Sequence, residues 1–266
     1  MPSNALMQRL RAGGLYTQAG NFLSHVSTGV DPRTGQFTLG CSLPVLQAND
    51  LAGPVISPSL HFSPLGSHSS SGFGLGWSMT FSQLDLSNDQ LVISSGDSFQ
   101  LDRDRSDFTR NGLLAFHDQK LCTFQVTSDD DAGRRFRIDY KDGVCEYLEV
   151  QDNSGMAMLK QIVSAQGRRA YLEWLAGSGP YLLWTIRDEQ RLLLDVQHDR
   201  DETRFVMFPG SDSTTVVTLL RSDRLNELIL PDGGNRWAFT YWQDPQSRLL
   251  FPSKVLGPLG STDEVD

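Results

Sequence analysis

Leu159-Lys-Gln-Ile-Val-Ser-Ala-Gln-Gly167-Arg-Arg-Ala-Tyr-Leu-Glu-Trp174 opens on an apolar run, breaks at a polar glycine turn and resumes as a second apolar run. Three further segments share the design. They are Leu182-Leu-Trp-Thr-Ile-Arg-Asp-Glu-Gln190-Arg-Leu-Leu-Leu-Asp-Val196, Leu225-Asn-Glu-Leu-Ile-Leu-Pro-Asp-Gly233-Gly-Asn-Arg-Trp-Ala-Phe-Thr-Tyr241 and Leu249-Leu-Phe-Pro-Ser-Lys-Val-Leu-Gly-Pro-Leu-Gly260. Their starts, 159, 182, 225 and 249, step by 23, 43 and 24, so the middle step spans two units. A period of this size marks a repeat architecture, in which one strand pair cannot bury its own apolar face and stacks on its neighbours. Such shells bind, enclose or scaffold, and seldom catalyse.

Upstream, short strands recur: Leu84–Leu86, Leu91–Ser94, Ser98–Leu101, Leu121–Val126, Phe136–Tyr140 and Val144–Val150. Asn88-Asp89, Ser95-Gly96, Asn111-Gly112 and Asp142-Gly143 supply hairpin turns between them. Leu51 to Phe62 contains Pro54 and Pro58, which cannot donate to a ladder, so it reads as an edge strand or an irregular segment. Gly72-Phe-Gly-Leu-Gly-Trp-Ser-Met79 alternates glycine with bulk. Its bare face admits a second backbone at Gly74 and Gly76, with Phe73, Leu75 and Trp77 packed inward. Residues 1–26 read as an arm with a short helix over Ala5–Leu10, residues 27–150 as an opening β region and residues 151–266 as divergent β repeats. No other segment carries a helical period, so the fold class is all-β, built of antiparallel meandering strands.

A net charge of −9 and a pI near 5.0 argue against nucleic acid or an anionic membrane as partner. No run of about 18 apolar residues is present, so no membrane-spanning helix is expected. Cys41, Cys122 and Cys145 have neither metal spacing nor the pairing of a disulfide framework, and they suit a reducing compartment. The N-terminus has no secretory signal, so export would use a route that does not read one.

Candidate chemistry is sparse. Gly96-Asp97-Ser98 with Asp195-Val-Gln-His198 matches the nucleophile and the Asp-x-x-His spacing of Gly-Asp-Ser hydrolases. Ser98 would attack an ester, His198 would take its proton and Asp195 would orient the ring. Strands flank Ser98 on both sides, however, where such enzymes place a helix, and Ser95–Ser98 reads as a hairpin turn. Asp102, Asp104 and Asp107 depart from a calcium loop. Gly72-x-Gly74-x-Gly76 lacks dinucleotide spacing. Of His25, His61, His68, His117 and His198, only His61 and His68 sit near enough in sequence to meet, and two ligands make a poor metal site. No cofactor and no catalytic residue is assigned.

Ser27 to Pro44, with its Thr-Gly-x-x-x-Pro-x-Thr-Gly-x-Phe, resembles the segment that opens the shell of bacterial Rhs (YD-repeat) proteins. Gly72–Met79 resembles the Gly-x-Gly-Trp-Ser block that follows it in that family and in related toxin-complex shells. Lys141-Asp-Gly143 and Pro231-Asp-Gly-Gly234 are similar to divergent YD-type turns. The resemblance covers about Ser27 to Asp266. It implies a hollow shell of spiralling β-sheet around a C-terminal toxin, delivered by type VI secretion or as part of a toxin complex. It marks Gly35, Phe37, Gly72, Gly74, Gly76 and Trp77 as structural residues of the shell. The chain lacks a long YD array, the self-cleaving end of the Rhs core and a toxin domain, so it reads as a piece of a longer protein.

The leading expectation is therefore a non-enzymatic shell or scaffold portion. Its partners would be the remainder of its own shell or a toxin cargo, with secretion or toxin-complex components. It would be synthesised in the bacterial cytoplasm. Strands around Leu225 to Leu256 are expected to leave an open edge and an apolar face, and so to self-associate. The alternatives are a stand-alone carbohydrate- or protein-binding β domain that uses exposed aromatics, and the hydrolase.

Overall fold

The computed structural model describes residues 26–30, 37–66, 71–117, 123–151, 154–176, 181–231, 235–258 and 262–264. Over these residues the fold is all-β and antiparallel, with no α-helix among them. The strands are β1 (Val26–Val30), β2 (Phe37–Ser42), β3 (Leu46–Gln47), β4 (Val55–Ile56), β5 (Ser59–Phe62), β6 (Trp77–Met79), β7 (Gln83–Asp85) and β8 (Gln90–Val92). There follow β9 (Ser98–Asp102), β10 (Leu113–Phe116), β11 (Phe124–Ser128), β12 (Arg135–Tyr140), β13 (Cys145–Val150), β14 (Met156–Val163), β15 (Arg169–Leu175) and β16 (Leu182–Asp188). The last are β17 (Leu192–His198), β18 (Glu202–Met207), β19 (Thr215–Arg221), β20 (Leu225–Ile229), β21 (Arg236–Gln243), β22 (Leu250–Leu256) and β23 (Thr262–Glu264).

From β7 to β14 each strand pairs with the next, and β14 returns to pair with β7 through Met156↔Asp85, Ala157↔Leu84 and Met158↔Gln83. These strands close a barrel. Alternation decides what fills it: Leu84, Leu91, Leu101, Leu114, Val126, Phe136, Ile138 and Leu148 are all buried. A ring of eight strands has an interior about wide enough for side chains alone, so this barrel is a packed core. The expected boundary at 150 falls between β13 and β14, which pair from Cys145↔Val163 to Val150↔Ala157.

One turn closes three hairpins. Gly96, Gly143 and Gly167 lie at positive φ, and each donates its N–H three residues back, to Ile93, Tyr140 and Ser164. This is the three-residue loop with a left-handed glycine. Asn88-Asp89 also joins neighbouring strands, β7 and β8. Asn111-Gly112 does not make a tight hairpin, since it ends the wide loop between β9 and β10.

The meander continues from β14 to β23. The first three sequence repeats are the hairpins β14–β15, β16–β17 and β20–β21, and the fourth, residues 249–260, holds β22, which pairs with β23 just beyond it. The double step between 182 and 225 holds a fifth, β18–β19.

The N-terminal strands form a separate sheet in the order β1-β2-β5-β6, beside the small β3–β4 hairpin. Of the stretch read as an edge strand or irregular, residues 51–54 and 57–58 lie outside strands and β4 pairs only with β3, whereas β5 departs from the expectation by pairing with both β2 and β6. Pro58 precedes β5, and its carbonyl accepts from the Leu43 N–H at 2.9 Å, so the missing donor costs the ladder nothing. The expected exposed apolar face over 225–256 is also overturned. Leu225, Leu228, Trp237, Phe239, Leu250 and Val255 are buried in one core shared with Leu39, Leu60, Phe62 and Trp77 of the N-terminal sheet. That sheet packs over them, which the repeat pattern alone cannot show. The expected helix over Ala5–Leu10 lies outside the described residues.

Candidate functional site

The barrel and the meander part company at β14. A bulge sets the branch: the register with β13 steps from Tyr147↔Gln161 to Leu148↔Leu159, leaving Lys160 over. Beyond it the C-terminal end of β14 pairs with β15 over Gln161–Val163, and the N-terminal end pairs with β7. Leu159 lies between these two pairings. Its N–H donates to the Ser82 carbonyl at 3.1 Å, and its carbonyl accepts from the Trp174 indole N–H at 2.6 Å. Two groups stranded by the fork are thereby satisfied.

Where β7 and β15 diverge, a cleft of about 790 Å³ opens beneath β6. Met79, Met156 and Met158 line it with Phe73, Phe81 and Trp174. Phe81 meets the Trp174 ring edge-on at 5.9 Å. Gln83, Asp85 and Asn88 supply polar groups. Thioethers adapt their shape to a ligand, and side-chain amides match peptide groups, so this lining suits an extended polypeptide.

The Gly block forms the upper part of the cleft and anchors it. Gly72, Gly74 and Gly76 all lie at positive φ. A Cβ on Gly74 would stand 2.5 Å from the Leu225 nitrogen, and one on Gly76 would stand 2.6 Å from the Phe62 ring. The Leu75 N–H donates to Asp223 at 2.8 Å, so the block joins the backbone just before β20. Trp77, 1% exposed, donates its indole N–H to the Tyr241 hydroxyl at 2.8 Å, and that hydroxyl donates to the Leu225 carbonyl at 2.8 Å. Burial raises the Tyr241 phenol against the opposing Trp77 hydrogen bond, so it keeps its proton. Phe73 stacks on Phe205 at 5.8 Å. Gly35 lies outside the described residues, and Phe37 contributes backbone pairing with Val30.

The hydrolase residues are not brought together. Ser98 is exposed on β9 and accepts a hydrogen bond from the Gln90 side chain at 2.8 Å. His198 lies on β17, its ring nitrogens 3.0 Å from the Leu183 carbonyl and 3.4 Å from the Thr203 hydroxyl. Asp195 is three residues away on the same strand, hence on the opposite face. Burial, then the charge of Arg221, lowers the His198 pKa against the opposing pull of the Leu183 carbonyl. Asp102 caps a short turn at Arg105, Asp107 accepts from Thr109, and no metal-type cluster occurs among the described residues. His61 bonds the Ser59 hydroxyl at 3.2 Å, while His25, His68 and Cys122 lie outside the described residues. No described helix is long and apolar enough to cross a membrane.

Alternation alone could have found one further inward polar residue. Glu146 shares the parity of Leu148, which places a carboxylate on the apolar face of β13. The fork and its methionines had no such signal, because a branch point depends on which strand returns.

No protein-family model matches the sequence, and no curated protein matches it. Solved structures do. The TcdB2-TccC3 structure is 12% identical, with 90% of this chain and 16% of that chain covered and a TM-score of 0.49. The Photorhabdus luminescens Tc holotoxin pore is 12% identical over 90% of this chain and 16% of that chain, with a TM-score of 0.46. The N-terminal domain of the effector protein SpvB from Salmonella typhimurium strain LT2 is 12% identical over 85% of this chain and 99% of that domain, with a TM-score of 0.39. The chain thus spans about a sixth of the toxin-complex chains it matches.

Proposed function

We propose that this chain is a non-enzymatic β scaffold, the shell-opening portion of an Rhs/YD-repeat toxin-type protein, and that its cleft holds an extended polypeptide. One observation carries the reading. The Gly block that resembles the Rhs shell motif both locks the N-terminal sheet onto the strands around Leu225 and lines the cleft through Phe73 and Met79. The polypeptide would be a toxin cargo or a further part of the same shell, with delivery by type VI secretion or a toxin complex after synthesis in the cytoplasm. Self-association would use the C-terminal edge, where β23 covers β22 over Lys254–Leu256.

Fluorescence anisotropy of a labelled, reduced and carboxymethylated polypeptide tests this. Saturable binding is expected, weakened about tenfold by Met156→Arg in the cleft and unchanged by Ser98→Ala. No binding, together with ester hydrolysis that disappears in Ser98→Ala, would replace the scaffold by the hydrolase. A carbohydrate-binding reading has its own support in Trp184 and Trp242, which are 46% and 53% exposed. Quenching of their fluorescence by oligosaccharides, lost in the Trp→Ala variants, is its test.

A further inference from the structure

Glu146 sits at the end of the barrel where β6 leads into β7, and it is 4% exposed. Its Oε2 accepts from the Ser82 hydroxyl and from Tyr140 at 2.8 Å, and its Oε1 accepts from Ser94 at 2.7 Å. The two serines hold each other. The Ser94 N–H donates to Ser82 Oγ at 2.8 Å, and the Ser82 N–H donates to Ser94 Oγ at 3.2 Å. The two hydroxyls also lie 3.0 Å apart, so either can donate to the other as well as to the carboxylate. Burial, then the negative charge of Glu146, raises the Tyr140 phenol and keeps it an O–H donor. A carboxylate offers about four lone-pair sites, so three donors leave one, on Oε1.

No ion pair among the described residues includes Glu146. A carboxylate taken out of water without a cation is costly, by several kcal/mol per ion. Yet Glu146 borders a second cavity of about 470 Å³, distinct from the cleft at the fork, and no lysine, arginine or histidine lines it. Pro54, Ile56, Phe81, Val144 and Ile162 give it an apolar side, and Asp142 is exposed among its polar lining residues. No cluster of three or more metal-type side chains occurs there among the described residues. An alkylammonium fits better: it brings N–H donors for the free lone pair, a stem for the apolar side and a charge that the Phe81 ring attracts.

We propose that this cavity binds a primary alkylammonium group, free or at the end of a lysine side chain, with its N–H donating to Glu146 Oε1. The proposal stands apart from the scaffold reading: its anchor, Glu146, is not in the cleft, although Phe81 borders both cavities. Amide NMR of the full chain is followed during titration with n-butylammonium and, separately, with N-acetyl-Gly-Lys-Gly-amide. Saturable shifts are expected at Ser94, Val144, Glu146 and Ile162, with none from n-butanol. Saturation by both ligands admits lysine side chains, and saturation by butylammonium alone restricts the site to free amines. Glu146→Gln should weaken binding about tenfold while keeping the shape of the site. Gln166→Lys, on the exposed turn beside the cavity, should weaken it about as much through charge repulsion and leave the barrel intact. The proposal is overturned if neither amine gives saturable shifts, if butanol matches butylammonium, or if a folded Glu146→Gln binds as the parent does. Should Glu146→Gln fail to fold, undiminished binding by Gln166→Lys overturns it instead.

Discussion

Trp174 shows how one side chain can hold a branch in a sheet open. Its indole N–H serves the Leu159 carbonyl, which lies at the fork and is fully buried. Trp174→Phe keeps most of the ring but leaves that carbonyl without its donor, so it should cost about 1–3 kcal/mol in urea unfolding. A loss below about 0.5 kcal/mol would mean that water serves the carbonyl instead. At this scale the sequence was readable wherever one residue type does a single job. The alternating glycines and Trp77 announced a close approach before any partner strand was known. Asn49 did not. Its positive φ, its N–H bond to Asp188 at 2.8 Å and its side-chain bond to the Arg169 carbonyl at 2.9 Å all depend on strands far away in the chain.

Among elements, the shared three-residue turn allows a clean comparison. A Cβ added at Gly167 (φ +80°) meets nothing within 4 Å, whereas one at Gly143 (φ +86°) stands 3.0 Å from the Ala165 Cβ. Gly167→Ala should therefore cost only the left-handed backbone penalty, about 1 kcal/mol, and Gly143→Ala should cost more. Equal costs by thermal unfolding would show that Ala165 gives way freely. The turn between β16 and β17 carries a pH dependence. Burial opposes ionisation of Asp188, but the N–H groups of Asn49, Gln190 and Arg191 and the Arg191 charge outweigh it and hold the carboxyl below its usual value. Arg191 also reaches Asp50 at 3.2 Å. A carboxyl with a depressed folded value stabilises the fold above its unfolded pKa, about 4, and that stability is lost as pH falls through the folded value. Exchange of the Asn49 amide should thus accelerate below about pH 4 relative to solvent-exposed amides, and Asp188→Asn should abolish the step. The hairpins themselves were legible from turn chemistry. β18 and β19 were not, because Glu202, Arg204 and a long turn from Phe208 to Thr214 interrupt the apolar signal.

Over the whole molecule, one apolar cluster runs from Leu39 through the barrel to Val255. The all-β class followed from period-two alternation and the lack of helical periods. What alternation could not say is which sheet covers which, since covering a face needs partners from distant parts of the chain. The central claim is that the Gly block makes the N-terminal sheet and the strands around Leu225 one cooperative unit, which holds the cleft at the fork as a fixed feature. Hydrogen exchange on parent and Gly74→Ala chains tests it most directly, because an added Cβ must displace the Leu225 backbone. The account predicts that β2, β5, β6 and strands β19–β21 lose protection together in the variant. Loss confined to β2, β5 and β6, with β19–β21 protected as in the parent, would contradict it.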